Sequence, residues 1–463
     1  MFERRAVTDI IHWYQQKQRK PLVIRGARQV GKTTAVRMAA QQMDVPLVEV
    51  NLERHPELDK LFRAYRLDEL LFNFSLITGQ AVNKDSSLLL FLDETQATPA
   101  AYSCLRYFYE DMPGLAVILT GSLLDQVLNN YQLPSPVGRV EPYFMGAMTF
   151  EEFLTASGQS RLIHALGMLT PENMHQIPDS VHEDLLAQVR LYTLTGGMPH
   201  CIQQGMDSGF DHRAILKYQT TLIQSYKDDF VKYQGTQDAL TLNAFFNGII
   251  GQAGQQFSHK LANEIALQTS GNNRQLNAAI EHFIAARLFY RVLHSNADTV
   301  PLGAETKIRI SKFLFIDIGL LLAAQGIPAQ SLMHSPLELA NRGLLAEQFV
   351  GQQLLYAKPA YVNPELYYWQ PPRSETQAEV DYLYLHQNEI IPVEVKSGST
   401  GSLKSLQSFV LRKQARRAVR VSSARPLREH LTARMKGQSG DFELLNIPFY
   451  LLNRLEQLLG QAG

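Results

Sequence analysis

Ile24-Arg25-Gly26-Ala27-Arg28-Gln29-Val30-Gly31-Lys32-Thr33-Thr34 decides how the N-terminal part of this chain is read. It fits G-x-x-x-x-G-K-[ST], in which a glycine-rich loop wraps an anion and a lysine and a hydroxyl follow at fixed offsets. The flanks have the required order. Pro21-Leu22-Val23-Ile24 predicts a buried strand, and Thr34-Ala35-Val36-Arg37-Met38-Ala39-Ala40 predicts a helix. Gly26 and Gly31 are expected to let the backbone curl, so that N–H groups of the loop face an anion above the positive end of the helix. Ala27, Arg28, Gln29, Val30 and Thr34 complete the expected cradle. Lys32 would reach the β- and γ-phosphates and the Thr33 hydroxyl would ligate Mg²⁺, so ATP and Mg²⁺ are the expected cofactors.

Outward from this loop, residues 4–18 read as a helix and Leu47-Val48-Glu49-Val50 as a second strand. Leu88-Leu89-Leu90-Phe91-Leu92-Asp93-Glu94 reads as a strand buried on both faces of a parallel sheet, ending in two acids. Such strands deliver their C-terminal residues to the ligand crevice. Asp93 would hold Mg²⁺ through its water shell, and Glu94 would orient and deprotonate an attacking water. Ala116-Val117-Ile118-Leu119 is a further buried strand. The Thr120-Gly121-Ser122 that follows either senses the γ-phosphate, with Thr120 as the candidate, or merely turns the chain. Arg139, after Gly138 in a Pro-rich loop, is either a solvated arginine or a finger that stabilises transition-state charge across subunits.

The whole chain sets bounds. It has 463 residues, and its 44 Lys and Arg balance 44 Asp and Glu. Zero net charge argues against a protein that coats nucleic acid over its entire surface, but leaves room for a local basic patch. No apolar run reaches the length of a membrane span, so no membrane partner is expected. Cys104 and Cys201 stand alone without C-x-x-C spacing, which points away from zinc and disulfides and towards a cytoplasmic location.

Gly-x-Arg-Gln-x-Gly-Lys-Thr-Thr at 26–34, Leu-Asp-Glu at 92–94, Thr-Gly-Ser at 120–122, Gly-Arg at 138–139 and Phe-x-x-Phe-Leu at 150–154 occur in this order. As a set they resemble the bacterial AAA-superfamily ATPases that carry a C-terminal domain of unknown function. The likeness runs along nearly the whole chain. One departure is Gly146-Ala147-Met148-Thr149-Phe150, where that group more often has Pro-Leu-Ser-Phe.

The resemblance implies an α/β architecture in four parts. An AAA-type P-loop NTPase core with a parallel sheet is expected over 1–155 and a helical lid over 156–237. A winged-helix-like module with a connector is expected over 238–337, and an α/β nuclease-like domain over 338–463. Within the lid, Gly196-Gly197-Met198-Pro199 predicts a fixed bend between helices, and Asp228-Asp229 reads as a solvated helix face. In the third part, Leu261-Ala262, Ile265-Ala266, the turn Ser270-Gly271-Asn272-Asn273, the stripe Leu276, Ile280, Phe283, Ile284 and the strand Leu288–Val292 follow winged-helix order. Asn273, Arg274 and Gln275 would open a recognition helix. Lys312–Leu320 reads as a strand leading into a helix, with Asp317 as its cap.

Near the C-terminus, Glu347, Asp381 and Glu394-Val395-Lys396 have the order seen in PD-(D/E)XK nucleases, which resembling ATPases often carry. That likeness implies carboxylates Glu347, Asp381 and Glu394 on a divalent metal ion, with Lys396 positioning water. If Gln387-Asn388 is a two-residue hairpin turn, paired residues sum to 775 and Asp381 faces Glu394 directly, while Glu379 faces Lys396. Period-2 alternation then sends Val380, Tyr382, Val393 and Val395 to the other face. Between 404 and 436 stand Lys404, Arg412, Lys413, Arg416, Arg417, Arg420, Arg425, Arg428, Arg434 and Lys436, with Glu429 as the lone acid. That bias is a candidate surface for double-stranded DNA. The expected function is a Mg²⁺-dependent ATPase associated with DNA, with a metal-dependent nuclease domain and a capacity to form homo-oligomers. The rival is a nucleotide-switched interaction protein whose nuclease-like part is a non-catalytic docking platform.

Overall fold

Strands β1 (Leu22–Arg25), β2 (Leu47–Asn51), β3 (Leu89–Asp93), β4 (Ala116–Gly121) and β5 (Glu141–Phe144) form one sheet in the order β2-β3-β4-β1-β5. All pairings are parallel. The computed structural model describes residues 2–122, 124, 136–234, 236–257, 264, 273–328, 342–372, 378–398, 402–435 and 437–460. Every residue of β3 and β4 is buried, as the unbroken apolar runs require of strands covered on both faces. The register sets Ile24 beside Thr120 and Arg25 beside Gly121, and Asn51 beside Asp93. The strand ends that carry chemistry therefore lie along one edge of the sheet. Strand β5, read from sequence as loop, is short and lies at the sheet edge, where Pro142 is tolerated. The expected first helix is Arg5–Gln15, and the helix after the loop is Lys32–Met43.

The chain divides into two compact units. The first holds residues up to 146 with 281–288 and 359–363, and the second holds the remainder. The leading stretch of the first unit ends at 146, short of the 155 expected for the core. The reason is local. Thr149 and Glu152 form a capping box that starts the helix Phe150–Ala156, and Phe150 packs on Tyr192 and Phe349 of the second unit. The helices expected as a lid, including Asp179–Thr195 and His212–Gln234, also belong to the second unit.

The second unit is built on an eight-stranded mixed sheet of order β12-β13-β11-β10-β9-β8-β6-β7. Its strands are β6 (Phe289–Ser295), β7 (Thr306–Phe315), β8 (Leu366–Trp369), β9 (Val380–His386), β10 (Glu389–Val395), β11 (Arg417–Ser422), β12 (Leu427–Met435) and β13 (Gln438–Pro448). Strands from both sides of the expected 337/338 boundary share this sheet, because β6 hydrogen-bonds β8. The pair β6–β7 is thus no free wing. Leu261, Ala262, Ile265, Ala266, Ser270, Gly271 and Asn272 lie outside the described residues, while a helix over Asn273–Ala285 is present.

The Gly196-Gly197 bend has a specific cause. Asp317 caps the helix Ile318–Ala324 by accepting from Leu320 N–H at 3.0 Å, and its other oxygen accepts from Gly197 N–H at 2.6 Å. A Cβ on Gly196, whose φ is 71°, would collide with that carboxylate. Asp317 is therefore a cap, as expected, and also a clasp between segments 120 residues apart. Cys104 and Cys201 are free and buried, and burial pushes both thiols up to about 12. No helix among the described residues is long and apolar enough to cross a membrane.

Candidate nucleotide site and a carboxylate cluster

The loop of residues 26–34 curls between β1 and the helix Lys32–Met43. Gly31 takes the left-handed region at φ 98°, and so does Gln29 at φ 63°. Gly26 serves differently from expectation. Its φ is ordinary, but a Cβ there would strike the Met145 carbonyl oxygen. Ala27 and Val30 are buried and anchor the loop, whereas Arg28 is partly exposed and Gln29 and Thr34 are exposed. Arg28 Nε donates to Ser122 Oγ at 3.2 Å, tying the loop to the end of β4.

Lys32 is 8 % exposed. Its ammonium donates to the carbonyl oxygens of Gly26 at 2.9 Å and Ala27 at 2.7 Å. Burial lowers its pKa to about 8, with Glu94 and Asp93 opposing the fall and Arg28 adding to it. No carboxylate forms an ion pair with it among the described contacts. A buried cation held only by carbonyls is incompletely compensated, and a phosphate oxygen supplies what it lacks. The residues present therefore fit a nucleotide.

Asp93 organises the acidic side. Thr33 Oγ1 donates to its Oδ2 at 2.9 Å, and the Glu94 N–H donates to its Oδ1 at 2.9 Å. The Thr120 hydroxyl also donates to Asp93. Thr33, Asp93 and Thr120 thus form one hydrogen-bonded chain of oxygen groups, the hard donor set that suits Mg²⁺. Glu94 sits in the left-handed region at φ 54°, a costly conformation for a residue with a Cβ and one common at functional sites. The Gln96 side-chain amide donates to its carboxylate. Arg139 pairs with Glu110 at 3.0 Å in its own unit.

The C-terminal cluster is arranged otherwise. The β9–β10 hairpin has the expected register, from His386 with Glu389 to Tyr382 with Val393. The paired ladder stops there. Asp381 turns its Oδ2 to the Val395 N–H at 2.7 Å. Val380 packs in one cluster with Leu383, three residues on, and the β8–β9 register shifts between Tyr367 and Trp369, so the simple two-face alternation fails at this end, while Tyr382 donates its hydroxyl to the Glu347 backbone carbonyl at 2.8 Å. Lys396 Nζ pairs with Glu394 at 2.6 Å, not with Glu379. Glu379 instead pairs with Lys312, whose ammonium also lies 3.3 Å from Glu347. Burial and Asp381 push Glu347 up to about 8, and burial and Asp381 push Glu394 up to about 7. Burial raises Asp381, against Lys312 and the Val395 N–H. The expected carboxylates do feel one another. Yet among the described residues no three acid, imidazole or thiol groups are gathered to hold a metal ion. One oxygen of each expected metal ligand is engaged within the chain: Glu347 by Lys312, Asp381 by the Val395 N–H and Glu394 by Lys396.

The basic stretch is also less free than its composition suggests. Lys413 pairs with Asp298 at 2.5 Å and Arg417 with Glu389 at 2.5 Å. Arg428 reaches Glu443 at 3.4 Å, Arg425 pairs with Asp179, and Arg420 donates to Asn446 at 2.7 Å. Lys404, Arg412, Arg416 and Arg434 are exposed, and Lys436 lies outside the described residues.

Comparison with known families bears on these geometries. Residues 18–154 match the family described as AAA domain. That stretch is therefore similar to AAA domains. Residues 186–331 and 342–434 match two domains of unknown function, DUF8612 and DUF4143. No curated protein matches the chain. Among solved structures, the Walker-type ATPase of Pyrococcus abyssi is 16 % identical with a TM-score of 0.43, covering 70 % of this chain and 96 % of that one. The ORC2 protein of Aeropyrum pernix in ADPNP and ADP complexes is 14 % identical with a TM-score of 0.35, covering 71 % and 94 %. The RuvB Holliday junction branch migration motor of Thermotoga maritima is 13 % identical with a TM-score of 0.30, covering 63 % and 90 %.

Three residues of consequence escaped the motif reading. In the first unit, Gln96 holds Glu94. Its position two residues past the acidic pair is the only sequence signal for it. Arg4 is buried and donates to the carbonyls of Val30 at 2.8 Å and Gly146 at 3.0 Å, bracing the phosphate loop. Outside that unit, Lys312 is separated from Glu347 by 35 residues. It was read only as the first residue of a strand.

Proposed function

We propose that this chain is a Mg²⁺-dependent ATPase. Loop residues 26–34 bind the phosphates, with Lys32 meeting the β- and γ-phosphates. Thr33 and Asp93 hold Mg²⁺, which supplies charge neutralisation along the phosphates. Glu94 takes a proton from the attacking water, and Thr120 orients groups at the far end of Asp93. The observation that carries this reading is Lys32: a buried ammonium with carbonyl partners at 2.7 and 2.9 Å and no paired carboxylate among the described residues. Equilibrium ATP binding and turnover by Lys32→Ala and Glu94→Gln test it. Loss of binding in the first, and binding without turnover in the second, support it. Wild-type turnover by Glu94→Gln contradicts the assigned base.

For the second unit, two readings compete. One is metal-dependent cutting of nucleic acid by Asp381, Glu394 and Lys396 with Glu347, on duplex DNA drawn to residues 404–436. The other is a docking platform without catalysis, switched by nucleotide. The ion pairs of Lys312 and Lys396 favour the second, because they offset part of the carboxylate charge without a metal ion. Incubation of the full chain with duplex DNA and Mg²⁺ or Mn²⁺ discriminates. Cutting that disappears in Asp381→Asn supports a nuclease, and intact DNA supports docking. DNA association, in either reading, rests on the exposed Lys404, Arg412, Arg416 and Arg434.

A further inference from the structure

Lys312 comes from β7, the last strand of the eight-stranded sheet. On its outer side the backbone at Lys312 is bridged to Gln256, so the strand is covered there as well. Its side chain is only 4 % exposed. The ammonium lies between Glu347, at 3.3 Å, and Glu379, with which it pairs closely. The Tyr368 ring centroid lies 5.2 Å from Nζ, so an aromatic face supports the same charge. Burial opposes that charge, but Glu347, Asp381 and Glu379 together hold the lysine above its ordinary pKa.

The remaining acids are also supplied from the chain. Asp381 takes the Val395 N–H and Glu394 takes Lys396, leaving Glu394 Oε2 as a buried oxygen without a hydrogen-bond partner. A divalent ion at this place needs several carboxylate oxygens turned towards one centre. Here an ammonium stands among the acids, and no such grouping exists among the described residues. The nuclease likeness implies a metal that this arrangement does not fit.

We infer that Lys312 is the resident cation of the cluster, taking the electrostatic place of a divalent metal ion, so that removing its charge creates a Mn²⁺ site. The inference deepens the docking reading of the second unit and rests on it. The two are tested by different readouts: metal occupancy for this inference, DNA cutting for that reading. A protein that binds Mn²⁺ through Asp381 but leaves DNA intact would overturn the inference alone.

The experiment titrates MnCl₂ into the nucleotide-free full chain by calorimetry, with melting temperature as a second readout. Four proteins are compared: wild type, Asp381→Asn, Lys312→Met and Lys312→Met/Asp381→Asn. The expected result is equal Mn²⁺ binding by wild type and Asp381→Asn. Lys312→Met gains one site at least about tenfold tighter than any in wild type, and Asp381→Asn removes it again. Its lowered melting temperature recovers with Mn²⁺, the stabilisation any ligand of the folded state gives. Lys312→Arg, which keeps the charge, gains no site. A folded Lys312→Met that takes up no extra Mn²⁺ overturns the inference. So does wild-type binding that Asp381→Asn abolishes, a comparison that decides the matter even if Lys312→Met does not fold.

Discussion

Lys32 and Lys312 are both buried lysines near two or more carboxylates, yet their surroundings differ in kind. Lys32 donates to two carbonyl oxygens of its own loop, and burial lowers its pKa to about 8. Lys312 is paired with Glu347 and Glu379, and its pKa is held above the ordinary value despite burial. The first cation is short of negative charge and the second is surrounded by it. Proximity of acids and lysines therefore does not by itself mark a ligand site. The incomplete compensation of one member does.

The largest expected effects follow from that contrast. Lys32→Ala weakens ATP binding by about a hundredfold or more, through loss of a charge-assisted contact in a dry site. Glu94→Gln lowers turnover by about a hundredfold or more while ATP still binds, within the range for loss of a general base. Radiolabelled ATP binding and phosphate release check both. Equal losses of binding in the two variants would erase the distinction between phosphate contact and base.

Stability gives the next largest effect and sharpens the comparison. Lys312→Met leaves buried carboxylates without their cation and costs about 3 kcal/mol. Lys32→Met removes a desolvated charge that has no carboxylate pair, and leaves nucleotide-free stability unchanged or raised. Urea unfolding checks the sign of each.

Acidity provides a smaller test. ATP prefers the ammonium form of Lys32, whose pKa in the free site is about 8. Raising the pH above 8 deprotonates the free site, so each ATP bound must bring a proton back. Affinity is therefore flat just below pH 8 and falls above it, by up to about tenfold per pH unit. An affinity unchanged between pH 8 and 9.5 would contradict the incomplete compensation of Lys32.

Salt dependence is the smallest effect. Gln at Lys404, Arg412, Arg416 and Arg434 reduces the salt slope of duplex binding by about one per lost phosphate contact. An unchanged slope in the folded variant would assign these side chains to solubility or to a protein partner.

Much of the first unit was legible because its signals are local. The loop, the helix after it, and the buried runs ending at Asp93 and Thr120 each lie within a dozen residues of sequence. The register of β9 and β10 was legible for the same reason, since a two-residue turn fixes it. What was not legible is pairing across distance. Lys413 meets Asp298, 115 residues away, and Arg417 meets Glu389, 28 away. Counting charge along the chain could not see these partners, so the basic stretch read as freer than it is. Lys312 escaped for the same reason. Nor does the sequence announce the packing of Phe150, which reads as a generic apolar residue until Tyr192 and Phe349 close on it.

The central claim is tested most directly in one variant, Lys32→Met, by measuring nucleotide-free urea stability and equilibrium ATP binding on the same preparation. The account predicts stability equal to or above wild type together with loss of ATP binding. A variant that is less stable than wild type yet still binds ATP at the wild-type affinity would contradict it.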